Sequence, residues 1–190
     1  NHINQASRTS PLNSTALKQF IDSNPNTYMA ERLKAEWIIK AAALGDHRTA
    51  VALGPVNVNL TQAQCALIQS QAVTGHRVGI RDALAAFRPG DSCWAMLDTL
   101  NHQNRLSFDQ LQPGLRDAVE YDSRNVARRY AAMVFSSAQL AQYDEIIRDP
   151  RAWISKQSGK ATSELDAELR ALAFSRLARQ DREEGIQILN

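Results

Sequence analysis

Paired carboxylates are the residues of this chain whose spacing could support cleavage of a glycosidic bond. Glu164 and Glu168 lie four residues apart in a helix-forming segment, and Glu183 and Glu184 are adjacent. Two carboxyl groups can act as acid and base on either side of such a bond. Acidic residues are also favoured in the first turns of helices, where they offset the helix dipole. We therefore interpret both pairs as solvated helix faces.

Two further carboxylates, Glu36 and Glu120, directly adjoin the aromatic residues Trp37 and Tyr121. A carboxyl group packed against an aromatic ring can be kept protonated and then serve as a general acid. Such a role requires burial, which the sequence does not show. We interpret both glutamates as surface residues.

Other recognisable catalytic or ligand-binding patterns are missing from the sequence. The four histidines (His2, His47, His76 and His102) do not have metal-ligand spacing, and His47 and His76 fit polar positions at helix corners. No glycines form a G-x-G pair, and neither a phosphate-binding loop nor a G-x-S-x-G nucleophile motif occurs. We expect no catalytic residue, metal or cofactor in this chain.

The two cysteines, Cys65 and Cys93, allow two interpretations. Free cysteines often pack as small buried hydrophobic side chains. Both residues also lie near the starts of predicted helices, on the same side of a hairpin stack, which permits a disulfide. Such a bond would close a loop of 28 residues and contribute roughly 3–4 kcal/mol, and it would require an oxidising compartment.

Arginine outnumbers lysine by 17 to 5, and the densest cluster is formed by Arg124, Arg128 and Arg129. Arg124 and Arg128 share one helical face. The planar guanidinium group suits bidentate contacts with carboxylates, so these three residues are our candidate ligand contacts. Ion pairing with neighbouring helices is the alternative, and we favour it for any single arginine.

The bulk composition excludes several classes of partner. The net charge is only +2, with 20 acidic residues spread among 22 basic ones, so we expect no nucleic-acid partner. No apolar stretch of ~18 residues occurs, so we expect no membrane span. The polar N-terminus lacks a secretory signal pattern, which fits a mature chain or a fragment.

Helix start and stop signals recur along the whole chain. Gly45 and Gly75 are predicted C-terminal caps in the left-handed conformation, and Thr61 with Gln64 fits a capping box. The stripe formed by Met29, Leu33, Trp37 and Ala41, widened by Ile38, is predicted to face the core. The predicted helical segments are 28–44, 46–53, 61–73, 78–87, 94–100, 107–115, 124–135, 137–147, 152–155 and 163–177, with a final helix after Asp181. Residues 56–60 are predicted to be an extended connector.

These segments pair into hairpins with corners about 30 to 35 residues apart, which is typical of helical repeats. We predict an all-α fold, a right-handed superhelical stack of hairpins resembling a degenerate tetratricopeptide array. Residues 1–13 form a polar N-terminal segment, and residues 14–190 form the superhelical domain. Because the chain stops on an unfinished apolar helix, we expect the domain to continue beyond residue 190.

Several short strings resemble the N-terminal superhelical domain of the soluble lytic murein transglycosylases. They include residues 16–20 (ALKQF), 30–33 (AERL) and 61–65 (TQAQC), together with Thr74-Gly75. Residues 171–181 (ALAFSRLARQD) are the most specific, since they resemble the A-x-A-F-x-x-x-A-R-Q-D run of that family. The similarity spans residues 14 to 190.

The resemblance implies a ring-like superhelix joined to a lysozyme-like catalytic domain. It also implies a periplasmic bacterial enzyme that cleaves peptidoglycan glycan strands to 1,6-anhydromuramic products, with glycan strands and other cell-wall proteins as partners. Cys65 and Cys93 match a cysteine pair that forms a disulfide in this family, so the resemblance favours the bonded interpretation.

The chain departs from the family pattern at the catalytic motif. The family's catalytic glutamate lies in a Glu-Ser motif, and none of the eight glutamates here is followed by serine. We therefore predict a scaffold that shapes or confines substrate without performing catalysis. The alternative is a stand-alone helical-repeat adaptor that binds a protein or peptide in its concave face.

Overall fold

The computed structural model describes residues 14–25, 27–57, 59–181 and 183. The predicted all-α class is confirmed, and the described residues contain no strand. The chain divides into two compact units, Asn1–Arg105 and Leu106–Asn190. Residues 1–13 and the predicted helix after Asp181 lie outside the described residues, apart from residue 183. The described helices are α1 (Ser14–Ser23), α2 (Tyr28–Ala43), α3 (His47–Leu53), α4 (Thr61–Val73), α5 (Ile80–Ala86), α6 (Asp91–His102), α7 (Phe108–Glu120), α8 (Arg124–Val134), α9 (Ser137–Arg148), α10 (Pro150–Ser155) and α11 (Glu164–Gln180).

Helix α4 is the centre of the first unit, because it packs against α2, α3, α5 and α6. A core cluster forms around Ile38, Ala41, Ala50, Leu53 and Ala66, all of them buried. Several contact residues are alanines, and small side chains allow helix backbones to approach closely. None of the described helices is both long and apolar enough to cross a membrane.

The predicted core stripe on α2 is partly wrong. Met29 is 65% exposed, and Leu33 and Trp37 are only half-buried at the edge of the core cluster. The fully covered positions include Ala35 and the predicted residues Ile38 and Ala41. Two of these three residues are alanines, which bury little area, so the tightest interface is rotated away from the large side chains at positions 29, 33 and 37.

Two of the predicted helix corners have the expected geometry. Gly45 and Gly75 adopt positive φ angles of 79° and 83°. At the first corner the Gly45 N–H donates to Ala42 and the Asp46 N–H to Ala41, which is the paired hydrogen bonding of a Schellman motif. The same pair of backbone hydrogen bonds forms at the Gly75 corner after α4. The predicted geometry of both corners is therefore confirmed.

Two further corners use the same geometry without glycine. Asn104 and Asp122 both have a φ of 53°, and each follows a helix. The next N–H donates back to the helix in both cases, from Arg105 to Leu100 and from Ser123 to Ala118. Asparagine and aspartate are the non-glycine residues that tolerate this conformation best. The repeat of about 30 residues between Gly45 and Gly75 therefore continues to Asn104.

The capping box predicted at Thr61 is wrong. Thr61 is already helical, with Leu60 as N-cap and no side-chain cap bond. Helix α6 begins at Asp91, and its N-cap, Gly90, has no side chain to supply a cap bond. Its first-turn N–H groups instead donate to Oε1 of Gln62 on α4, at 3.1 Å from Ser92 and 3.4 Å from Cys93. A cap supplied by another helix cannot be recognised from local spacing.

Buried Glu31 fixes the connector after α3. Its carboxylate accepts a hydrogen bond from the Lys34 ammonium at 2.6 Å and one from the Asn57 N–H at 2.7 Å. Burial opposes ionisation, but these hydrogen bonds and the Lys34 charge outweigh it and lower the pKa of Glu31. The described residues of the 56–60 segment contain no helix or strand, as predicted for an extended connector.

Helix α7 runs to Glu120, beyond the end at Leu115 that the sequence predicted, and contains Pro113. A mid-helix proline removes one backbone hydrogen bond, so tertiary packing must hold this helix together. The packing is with α8, where Gly114 faces the ring of buried Tyr130. Burial, with a smaller contribution from the charge of Asp117, raises the pKa of Tyr130 to about 12.

We expect Gly114→Ala to destabilise the protein although alanine is the better helix former. A Cβ at position 114 would lie 2.6 Å from the Tyr130 ring. The propensity gain is about 1 kcal/mol, whereas overpacking costs about 1–3 kcal/mol. Chemical denaturation measures the net loss. In a Tyr130→Ala background the same substitution should become neutral or stabilising, and an equal loss in both backgrounds would contradict this explanation.

Candidate ligand cleft

An open cleft lies between α7 and α11 in the second unit. It consists of two depressions of about 680 and 230 Å³ that share Glu120 and Ser175. The larger volume falls within the range of roughly 300–1,000 Å³ that is common for small-molecule sites. The remaining lining residues are Arg116 and Tyr121 from the α7 side and Ala171, Leu172, Ala178 and Arg179 from α11.

A charged clamp joins the two helices beside the smaller depression. Glu168 is 2% exposed, and its carboxylate accepts hydrogen bonds from Arg116 Nε at 2.9 Å and Arg116 Nη2 at 2.5 Å. Gln112 donates a third hydrogen bond to the same carboxylate at 2.8 Å. The hydrogen bond to Glu168 raises the pKa of Arg116 above its ordinary value. Our interpretation of Glu168 as a solvated surface residue is therefore wrong.

A second ion pair joins α11 to the corner that follows α7, beside the larger depression. Buried Arg176 on α11 donates from Nη1 to the carboxylate of Asp122 at 2.6 Å. The nearby Arg124 Nε lies 3.5 Å from the same carboxylate. The hydrogen bond and charge of Arg176, with a smaller contribution from Arg124, lower the pKa of Asp122. Because Asp122 follows Tyr121 directly, this ion pair fixes the backbone that carries the tyrosine into the cleft.

The polar groups in the cleft retain hydrogen-bonding capacity. In the described part of the chain, Glu120, Tyr121 and Ser175 have no side-chain hydrogen bond, and Tyr121 is 76% exposed. Arg179 donates a single long hydrogen bond of 3.5 Å to the Val119 carbonyl. Ala171, Ser175 and Ala178 recur at helical spacing on α11, which places them on one face. The cleft thus combines an acceptor, a hydroxyl group, an aromatic ring and a guanidinium group.

The predicted contact arginines lie on α8, away from this set of residues. Arg128 makes a bidentate ion pair with Asp144, at 2.9 Å from Nε and 3.0 Å from Nη2. Arg124 faces Asp122 as described. Arg128 and Arg129 also line an open depression of about 290 Å³ with Asn125 and Ala132. The ion-pairing alternative thus describes Arg124 and Arg128, and ligand contact by the three arginines stays a prediction.

The structure joins Cys65 and Cys93 in a disulfide with an S–S distance of 2.09 Å. Both residues are fully buried, and their Cα atoms are 4.7 Å apart. The bond links α4 to α6 beside the Gln62 side chain, which also donates to the Arg88 carbonyl at 3.3 Å. The two helices are therefore joined covalently and by hydrogen bonds at the same end.

The other sequence candidates are not assembled into a catalytic group. Glu36 is exposed and pairs with Arg32 in the preceding turn of α2. His47 Nδ1 lies 3.1 Å from Ser70 Oγ, a contact that the sequence analysis missed. Ser70 donates its hydroxyl hydrogen to the Ala66 carbonyl, so it accepts from His47 and is not oriented as a nucleophile. Among the described residues, no group of His, Cys, Asp and Glu is arranged to hold a metal ion.

No protein-family model matches this chain, and no curated protein matches it. Among solved structures, the chain is similar to an X-ray structure of an inactive mutant of the lytic transglycosylase Slt from Pseudomonas aeruginosa. The sequence identity is 21%, the TM-score is 0.55, and the match covers 92% of this chain. The matched region is only 30% of that chain's length. This likeness is one of fold.

Proposed function

We propose that this chain is the superhelical scaffold of a periplasmic lytic transglycosylase that acts on peptidoglycan. The observation that carries the proposal is the fold likeness, which covers 92% of this chain but only 30% of the similar enzyme's chain. A scaffold that forms one part of a larger enzyme would give this unequal coverage. The A-x-A-F-x-x-x-A-R-Q-D resemblance at residues 171–181 supports the same assignment.

The disulfide supports a periplasmic location. Cys65 and Cys93 are bonded and buried, and such bonds persist in oxidising compartments such as the bacterial periplasm. The buried position of both sulfur atoms fits a structural bond. A cytosolic adaptor would have no need of it.

The chemistry of the described residues supports a non-catalytic role for this part. Among the described residues, Glu168 is the deeply buried glutamate that faces another helix, where it pairs with the Arg116 guanidinium and accepts a hydrogen bond from Gln112. A carboxyl group that is buried and engaged in this way is not within reach of a glycosidic oxygen. The scaffold would then confine glycan strands, while another domain performs the cleavage.

Expression of the gene together with its downstream coding sequence tests this proposal. The extended protein should release 1,6-anhydromuropeptides from purified sacculi, detectable by mass spectrometry because they are one water lighter than hydrolysed products. The 190-residue chain should release none. Exchange of the glutamate in the downstream Glu-Ser motif for glutamine is the matched inactive control.

The opposite result would replace the proposal with the adaptor alternative. A stop codon directly after the codon for Asn190, or an extended protein that leaves sacculi intact, would remove the enzymatic role. In that case a protein or peptide partner would be the better explanation for a chain of helical hairpins.

A further inference from the structure

We propose that the α7–α11 cleft is a saccharide-binding site in which the Tyr121 ring forms the stacking platform. The natural source of the ligand rests on the proposed function, but the site itself is argued from the chemistry of the cleft. The site would hold a neutral glycan unit. It is separate from the α8 arginines that the sequence singled out.

The charge balance of the cleft favours a neutral ligand. The positive charge of Arg116 is matched by the carboxylate of Glu168 at 2.5 Å. The positive charge of Arg179 faces the same cleft as the negative charge of Glu120. With two guanidinium groups and two carboxylates, the cleft has no net attraction for a phosphate or an acidic peptide.

The position of Tyr121 favours a flat, partly apolar ligand face. Its ring is 76% exposed, although the adjacent backbone is held firmly by the left-handed corner at Asp122 and the Arg176 hydrogen bond. Tyrosine offers a rigid amphipathic ring that loses little side-chain entropy on binding. The C–H faces of a pyranose ring suit such a surface. The exposed residues Ala171 and Ala178 supply apolar contacts in the adjoining depressions.

The hydrogen-bonding groups of the cleft match hydroxyl and acetamido groups. Glu120 is an acceptor, the Ser175 and Tyr121 hydroxyl groups can donate or accept, and Arg179 has donors beyond its contact with Val119. A saccharide presents alternating donors and acceptors around a ring. The two adjoining depressions provide room for consecutive sugar units.

A titration of the 190-residue chain with chitotetraose, a neutral N-acetylglucosamine tetramer, tests the site. We expect a dissociation constant of about 1 mM or tighter, with amide NMR shift changes centred on residues 116–121 and 171–179. Tyr121→Ala should weaken binding about tenfold, equivalent to roughly 1.4 kcal/mol. Tyr121→Trp should retain affinity because it preserves a stacking surface.

Tyr28→Ala is the matched control, since Tyr28 is a similarly exposed tyrosine (64%) in the other unit. It should leave chitotetraose affinity unchanged, and thermal unfolding should verify that every variant is folded. The inference is overturned if the wild type does not bind, if the shifts centre elsewhere, or if Tyr28→Ala weakens binding as much as Tyr121→Ala. Cleft shifts produced only by an acidic peptide or a protein partner would also overturn it.

The two proposals fail in different measurements. If the extended protein cleaves sacculi but this chain does not bind chitotetraose, the saccharide site is contradicted and the scaffold function is supported. If this chain binds chitotetraose through Tyr121 but the extended protein does not cleave sacculi, the scaffold function is contradicted and the saccharide site is supported.

Discussion

Reduction of the Cys65–Cys93 disulfide is expected to lower the free energy of unfolding by roughly 3–4 kcal/mol. The bond closes a loop of 28 residues, and opening it restores conformational freedom to the unfolded chain. Urea denaturation with and without a reductant measures the change. The loss should appear as a lower midpoint.

The Cys65→Ala, Cys93→Ala double variant separates the crosslink from general effects of the reductant. Its stability should be close to that of the reduced wild type, and adding reductant should not lower it further. Mass spectrometry of the unreduced wild type should show a mass two hydrogens below that of the dithiol. Equal stability of the oxidised and reduced protein would contradict the stabilising role.

Arg116→Ala is expected to destabilise the second unit by about 3 kcal/mol or more, because it leaves the Glu168 carboxylate buried without its charge partner. Glu168 is 2% exposed and would retain only the hydrogen bond from Gln112. Glu168→Gln should cost less, since a neutral amide is cheaper to bury and the half-exposed Arg116 can turn to solvent. Urea denaturation of both variants measures the order.

A double variant identifies the cause of the stability deficit. The deficit of Arg116→Ala should shrink in a Glu168→Gln background, because the buried amide carries no charge that needs a partner. Arg128→Ala is the matched control, since Arg128 pairs with an accessible Asp144 and its removal should have little effect. A deficit of equal size in both backgrounds would indicate lost packing of the arginine stem.

The sequence predicted the helices well because their boundaries are set by neighbouring residues. Gly45 and Gly75 need only their own backbone freedom to form a corner, and Ser136 or Asp149 needs only an N–H group three residues ahead. Each of these signals involves only residues within one helical turn of each other. They therefore do not depend on what the helix packs against.

The cleft could not be predicted because its parts are far apart in the chain. Arg116 and Glu168 are 52 residues apart, and Asp122 and Arg176 are 54 apart. Glu168 occupies a position in the second turn of α11 that is usually solvated, so only the neighbouring helix reveals its burial. Tyr121 was noted only as a neighbour of Glu120, and its exposure depends on the corner at Asp122. Asn104 and Asp122 are the signal that could have located these corners.

The left-handed corners at Gly45, Gly75 and Asp122 constrain substitution unequally. Gly45 and Gly75 have open space where a side chain would begin, so their requirement is one of backbone conformation alone. Asp122 adopts the same kind of backbone and must also supply a carboxylate for Arg176. Glycine at position 122 would adopt the left-handed backbone more easily but would leave Arg176 without its carboxylate partner. Glutamate would supply a carboxylate but would adopt this backbone conformation at a higher energetic cost. Across related chains, the residue type at position 122 should therefore vary less than at corners where either glycine or asparagine suffices. This makes position 122 a better marker of common descent than the two glycines.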